Sequence, residues 1–157
     1  MASFRKNVYL IDIRPLENVI PGVSFVQADA TDLAGISDSS IESISALCSI
    51  EHFGLGRYGD EVDPDAWKKV ISSIKRVLQP NGHVYLSVPI GHQHVEFDAH
   101  RIFYASSIVK EFSPLKLLEF SCCYDKDNNI EKDAPLNKYD NDFEKSCVRF
   151  GLFHFIK

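Results

Sequence analysis

Residues 63–90, DPDAWKKVISSIKRVLQPNGHVYLSVPI, constrain the fold more than any other stretch. Trp67, Val70, Ile71, Ile74, Val77 and Leu78 recur at helical spacing and make one apolar face. Asp63 stands where an N-cap belongs, and Pro64 suits the first helical position. Lys75 and Arg76 sit near the end, where the helix dipole favours cations. Pro80-Asn81-Gly82 stops the helix, and HVYLSVPI (83–90) reads as a strand. An amphipathic helix running into an apolar strand is a repeating unit of α/β sheets.

The rest of the chain supplies further strands. NVYLID (7–12), VSFVQA (23–28) and SISALCSI (43–50) are short apolar runs before the helix. After it come a short helix over 104–112, a strand over 115–124 and a final strand over 148–157. The segment 125–146, dense in Asp, Asn, Lys and Glu, predicts an exposed flexible loop. This order predicts one α/β domain over residues 1–157, its sheet mostly parallel with an antiparallel hairpin at the C-terminal edge. Ligands of such sheets bind beyond the carboxyl ends of the strands. Asp12, Asp29, Ser49–His52 and Pro89–His92 all fall there.

At 157 residues the chain is long enough for one real core. A net charge of −5 argues against wholesale binding to nucleic acid or an anionic membrane. No apolar run approaches the roughly 20 residues of a membrane helix, and Asp12 interrupts the N-terminal one too early for a signal peptide. The four cysteines, Cys48, Cys122, Cys123 and Cys147, form no C-x-x-C, and two are adjacent, a poor layout for disulfides. They predict reduced thiols and a cytoplasmic protein.

Within SIEHFGLGRYGD (49–60), Gly54, Gly56 and Gly59 have the G-x-G-x-x-G spacing of a dinucleotide turn. Such a turn needs its helix to open at the glycines, and here Asp60-Glu61-Val62-Asp63 intervene. The glycines therefore predict a bent loop over a pocket. The loop also carries Glu51, His52, Arg57, Tyr58 and Asp60, a set suited to a substrate surface, or to a loop held by its own ion pairs.

The pattern resembles the later part of a class I S-adenosylmethionine-dependent methyltransferase, from NVYLID through VQADATDL, ALCSIEHF, KRVLQPNGHVYLSVP and HRIFYASSIVKEF to the last two strands. More narrowly, SIEHFGLGRYGD followed by Asp63-Pro64, with HRIF (100–103) later, resembles a methyltransferase-like family of unknown function. The resemblance implies S-adenosylmethionine as cofactor, with Asp12 on the ribose, Asp29 on the adenine amine with Ala30 beside the ring, and Cys48 and Ser49 also against the cofactor. That family's first strand and glycine-rich loop would precede NVYLID, where this sequence has MASFRK. The expected fold is thus a truncated Rossmann-like methyltransferase sheet lacking that strand. Its open edge would call for a homodimer or partner chain.

The chemistry implied is methyl transfer to a small molecule or glycan, in which the protein mainly positions the acceptor. His52 is the candidate base and Glu51 its orienting partner, although adjacent residues at a strand end usually point apart. Arg57, Tyr58, Asp60, His100 and Arg101 are candidate substrate contacts. Two local alternatives accompany the cofactor reading: DIRP also suits a turn acid paired with Arg14, and Asp29 or Thr31 a helix cap in DATDL. Two other functional readings compete with the enzyme. One is a non-catalytic methyltransferase-like binding or partner module. The other is a metal-dependent enzyme centred on His92, His94 and His100 of GHQHVEFDAH, although no familiar metal pattern fits that spacing and the expected metal is none.

Overall fold

The computed structural model describes residues 7–17, 20–124, 129–143 and 149–157. Strands β1 (Val8–Asp12) and β2 (Val23–Gln27) pair in parallel as a two-stranded sheet. Strand β3 (Ile41–Leu47) leads through a single 3-10 turn (Ile50–His52) and a loop to helix α1 (Ala66–Val77). Then come β4 (Leu78–Ile90), a small hairpin of β5 (His94–Val95) and β6 (Arg101–Ile102), and helix α2 (Ala105–Phe112). The chain closes with β7 (Lys116–Tyr124), β8 (Ile130–Lys132) and β9 (Arg149–Ile156).

The main sheet has the order β3-β4-β9-β7-β8. β3 and β4 are parallel, and the pairs from β4 through β9 and β7 to β8 are antiparallel. The sheet is therefore mixed. The expected closing hairpin is present: β7 and β9 pair antiparallel, with β9 seated between β4 and β7. With Phe153 and Phe155 buried in the core cluster, β9 gains more in the interior than at a margin.

Among the described residues no strand joins β1–β2 to β3. The two-stranded sheet and the main sheet meet instead through side chains and loops. Arg76 of α1 donates to the carbonyls of Asp32, Leu33 and Ile36 and to the Asp38 carboxylate, at 2.5 to 3.0 Å. Ser73 Oγ donates to Thr31 O at 2.7 Å.

The helix that anchors the core buries Trp67, Val70, Ile71, Ile74 and Val77, as the periodicity requires. Phe103, Ile108, Phe112, Phe153 and Phe155 complete the cluster. Full burial of each such side chain contributes roughly 1.5–3 kcal/mol. The helix starts slightly later than expected, at Ala66 with Asp65 as N-cap. Asp63 is occupied one step earlier, accepting the Asp65 amide at 2.9 Å and Lys69 Nζ at 2.6 Å. Two lysines close the helix ends: Lys157 Nζ donates to the carbonyls of Lys75 and Leu78, and Lys75 Nζ to those of Glu111 and Ser113. Each satisfies carbonyls that the end of a helix leaves without an intrahelical partner.

The expected loop over 125–146 is partly structured. It contributes β8, paired to β7, and the buried Ala134; residues 125–128 and 144–148 lie outside the described residues. Tyr139 donates to Glu131, and Arg149 stacks on Tyr124 and Tyr139. Cys48, Cys122 and Cys123 are free thiols, and Cys147 lies outside the described residues. Among the described residues no helix is long and apolar enough to cross a membrane.

Arg76→Ala removes the donors that tie residues 32–38 to α1, and the loss is expected to cost about 1–3 kcal/mol. Urea unfolding measures the loss. Hydrogen exchange should quicken first over residues 29–40, before the α1–α2 core loosens.

Candidate functional site

The site is built on the segment that follows β3. Cys48 takes φ +50, which ends the strand. Its amide donates to Ser87 O at 3.0 Å and Ser87 Oγ at 3.1 Å, fixing the segment to β4. Ser49 then caps a 3-10 turn whose Ile50 is fully buried. This turn alters the strand-end expectation for Glu51 and His52. In the turn the two side chains no longer point to opposite faces as in a strand, and His52 Nε2 lies 3.9 Å from Glu51 Oε1.

The His52 tautomer follows from its other nitrogen. Nδ1 lies 3.0 Å from Ala99 O, and a carbonyl only accepts, so Nδ1 carries the proton. Nε2 is then the basic nitrogen, on the Glu51 side. Burial pushes the imidazole below its ordinary pKa; the Ala99 bond opposes this and Arg57 reinforces it. The ring meets Tyr58 edge-on at 5.6 Å and His100 edge-on at 6.0 Å. Burial likewise lowers the pKa of His100, and its Nε2 is buried with no hydrogen-bond partner. Glu51 is 2% exposed, and its Oε2 also has no partner. Burial raises its carboxyl to about 7.

Asp60 and Arg101, expected to face a substrate, face the loop instead. The Asp60 carboxylate accepts the amides of Gly54 at 2.7 Å, Tyr58 at 3.1 Å and Gly56 at 3.4 Å. Burial pushes this carboxyl up, but the amides outweigh it and hold it below its ordinary value. All three glycines of the motif have positive φ, and the amides of Gly54, Gly56 and Tyr58 converge on one point as in an anion nest. The anion is the chain's own, which removes a phosphate-binding role. Gly54 has a second reason to be glycine: a Cβ there would stand 2.0 Å from Asp63 O and 2.6 Å from Ala66 Cβ. Arg101 is 6% exposed and donates to Phe53 O, with longer contacts to the carbonyls of Glu51, Asp63 and Pro64. Those carbonyls consume its donors.

Beside this loop runs a groove of about 430 Å³, lined among others by Leu55, Val62, Trp67, Val95, Ile102 and Phe103. Arg57 donates to Ala99 O at 3.0 Å, and Tyr58 is partly exposed between the guanidiniums of Arg14 and Arg57, 4.8 and 5.7 Å from its ring. The Arg14 contact carries the end of β1 to the loop after β3, a link that the spacing of the sequence does not signal.

The acids at the ends of β1 and β2 are engaged locally. Asp12 accepts three hydrogen bonds from Arg14, one from the amide and two from the guanidinium, at 2.8 to 3.0 Å. The Arg14 side chain holds its carboxyl below the ordinary range. Asp29 Oδ1 accepts the Thr31 amide at 2.8 Å in an Asx-turn, with no helix in DATDL to cap. Ala30 packs against the core. The three histidines of the metal reading diverge. His92 Nδ1 lies 3.2 Å from Tyr104 OH, His94 bonds His92 O and Glu96, and His100 turns to His52. Among the described residues no group of three His, Cys, Asp or Glu side chains is placed to hold a metal ion.

The parallel strands, the antiparallel β9 beside β4 and the site at the strand ends define a Rossmann-like methyltransferase fold. The whole chain is similar to solved structures of that fold. A SAM-dependent methyltransferase of Methanosarcina mazei is 15% identical, with a TM-score of 0.64 over 99% of this chain and 84% of that one. A Bacillus halodurans protein assigned as a methyltransferase is 14% identical, with a TM-score of 0.68 over 99% and 85%. The Burkholderia thailandensis 1,6-didemethyltoxoflavin-N1-methyltransferase, solved with its substrate and S-adenosylhomocysteine, is 15% identical, with a TM-score of 0.59 over 96% and 60%. No curated protein matches the sequence. The chain belongs to the family described as Caenorhabditis protein of unknown function, DUF268, whose family model matches residues 24–146.

The raised Glu51 carboxyl has a consequence for stability. The unfolded chain releases this proton near 4.5 and the folded chain near 7, so stability falls as pH rises through that window. The difference corresponds to about 3 kcal/mol once both states are ionised. Glu51→Gln is therefore expected to raise the unfolding free energy measured in urea at pH 8 by most of that amount, and by less than about 1 kcal/mol at pH 5.

Proposed function

We propose that the protein is an S-adenosylmethionine-dependent methyltransferase acting on a small molecule or glycan. The observation that carries this reading is the position of Asp12, Asp29 and Cys48–His52 at or just beyond the carboxyl ends of β1, β2 and β3 in a methyltransferase fold. The donor set suits the cofactor. Arg14 occupies three of the roughly four acceptor positions of the Asp12 carboxylate, leaving one for a ribose hydroxyl. Asp29 Oδ1 is engaged by Thr31, leaving Oδ2 for the adenine amine, with Ala30 beside the ring. Cys48 and Ser49 would line the same strand end. The interval between β1 and β3 corresponds to the strand that carries the glycine-rich loop in the methyltransferases that the sequence resembles. When bound, S-adenosylmethionine would supply a methyl group on a sulfonium, already a good leaving group.

The chain's own residues then orient the acceptor and move its proton. His52, held by Ala99, accepts that proton at Nε2, and Glu51 at 3.9 Å stabilises the imidazolium that results. Tyr58, Arg57 and His100 flank the acceptor.

A second reading has its own observation. Tyr9 of β1 is 59% exposed and Leu47 of β3 is 61% exposed, so both strands flanking the interval show apolar surface. In a non-catalytic module, a second copy or a partner chain would cover it.

Calorimetric titration with S-adenosylhomocysteine separates the two. Methyl transfer predicts micromolar binding, weakened about tenfold or more in Asp12→Ala, the loss of one charge-assisted hydrogen bond. Absence of binding, with a dimer in sedimentation, would establish the module and overturn the enzyme.

A further inference from the structure

Arg101 and Arg57, the cations nearest His52, turn donors to the chain itself, while a buried carboxylate and a basic nitrogen keep acceptors unmet. Arg101 gives its N–H groups to the carbonyls of Phe53, Glu51, Asp63 and Pro64. Arg57 gives to Ala99 O, and Arg14 to Asp12. His52 spends its single proton on Ala99 O. What remains toward the centre of the group is the Glu51 carboxylate with Oε2 unpartnered, the His52 Nε2 lone pair, and the unpartnered Nε2 of His100. A buried acceptor without a donor is costly, and a buried carboxylate without a counter-charge more so.

Glu51 Oε1 and His52 Nε2 stand 3.9 Å apart, too far to bond each other. A nitrogen donating to both, with bonds of about 2.8 Å each, spans such a separation. A hydroxyl brings one hydrogen and leaves one acceptor unmet, whereas an ammonium brings two or three and a positive charge. An anion would face the Glu51 carboxylate and the His52 Nε2 lone pair. The His52 side chain is 21% exposed and is the part of the group that meets solvent, while Glu51 lies behind it at 2%.

We propose that Glu51, His52 and His100 form a subsite for a primary or secondary amine, held as its ammonium between Glu51 and His52. The ammonium gives one proton to His52 Nε2, leaving a neutral amine and an imidazolium beside the Glu51 carboxylate. The fate of the amine as methyl acceptor rests on the reading above; its binding does not.

The test titrates benzylamine, benzyl alcohol and benzoate into the protein at pH 7.5, following the His52 ring resonances by NMR. S-adenosylhomocysteine is titrated in parallel by calorimetry. Benzylamine should bind at least tenfold more tightly than either analogue and shift the His52 resonances. Glu51→Gln, a variant that sheds a buried charge and so retains the fold, should lose at least tenfold of that affinity, and His100→Ala should lose less. Equal or tighter binding of the alcohol or benzoate, or benzylamine binding unchanged in Glu51→Gln, would overturn the amine subsite. Cofactor binding without benzylamine binding sinks the subsite and leaves methyl transfer standing. Glu51-dependent benzylamine binding without cofactor binding supports the subsite and sinks methyl transfer.

Discussion

The backbone of residues 51–64 is held by two opposite ions. One carboxylate, Asp60, gathers its amides, and one guanidinium, Arg101, gathers its carbonyls. An irregular loop against a core has to satisfy such groups somewhere. Charged partners do this with few side chains, since hydrogen bonds to ions are stronger than those between neutral groups. The geometry of the site depends on this arrangement. With the loop fixed, Glu51 and His52 share one turn and Ala99 meets the His52 ring.

The same economy explains why the loop is rich in charge and poor in charge that faces outward. Counting Asp60 and Arg101 as a substrate surface would overstate what a ligand meets. Their hydrogen-bonding capacity is directed at the chain itself, and the Glu51 carboxylate and His52 Nε2 are left as acceptors of proton and hydrogen bond. The neighbourhood suits a base more than an anion receptor.

The fold places this loop at the end of β3, beside the end of β1, without a hydrogen-bonded strand between them among the described residues. The tie runs through α1: Arg76 and Ser73 hold the connection after β2, while the apolar face of α1 holds the main sheet. One helix thus sets the distance between the acids expected to face the cofactor and the histidine expected to face the acceptor. The likeness to methyltransferase structures at 14 to 15% identity is a likeness of that frame.

Periodicity alone determined α1, α2 and most strands, because an apolar face at a fixed repeat has one way to be buried. It also determined that the glycines at 54, 56 and 59 make no phosphate turn, since no helix opens there. Local chemistry was legible in DIRP, where Asp12 and Arg14 pair as two residues of one turn. Only the tertiary structure decided that β9 pairs with β4 on its other side, that β8 forms inside a charged segment, and that Asp60 and Arg101 turn inward. Those outcomes depend on partners far along the chain: Arg101 meets Phe53, β9 meets β4, and His52 meets Ala99. A charged residue in a loop has the same identity whether its partner is a ligand or a distant carbonyl. The choice is made by which unsatisfied group the fold brings within hydrogen-bonding distance.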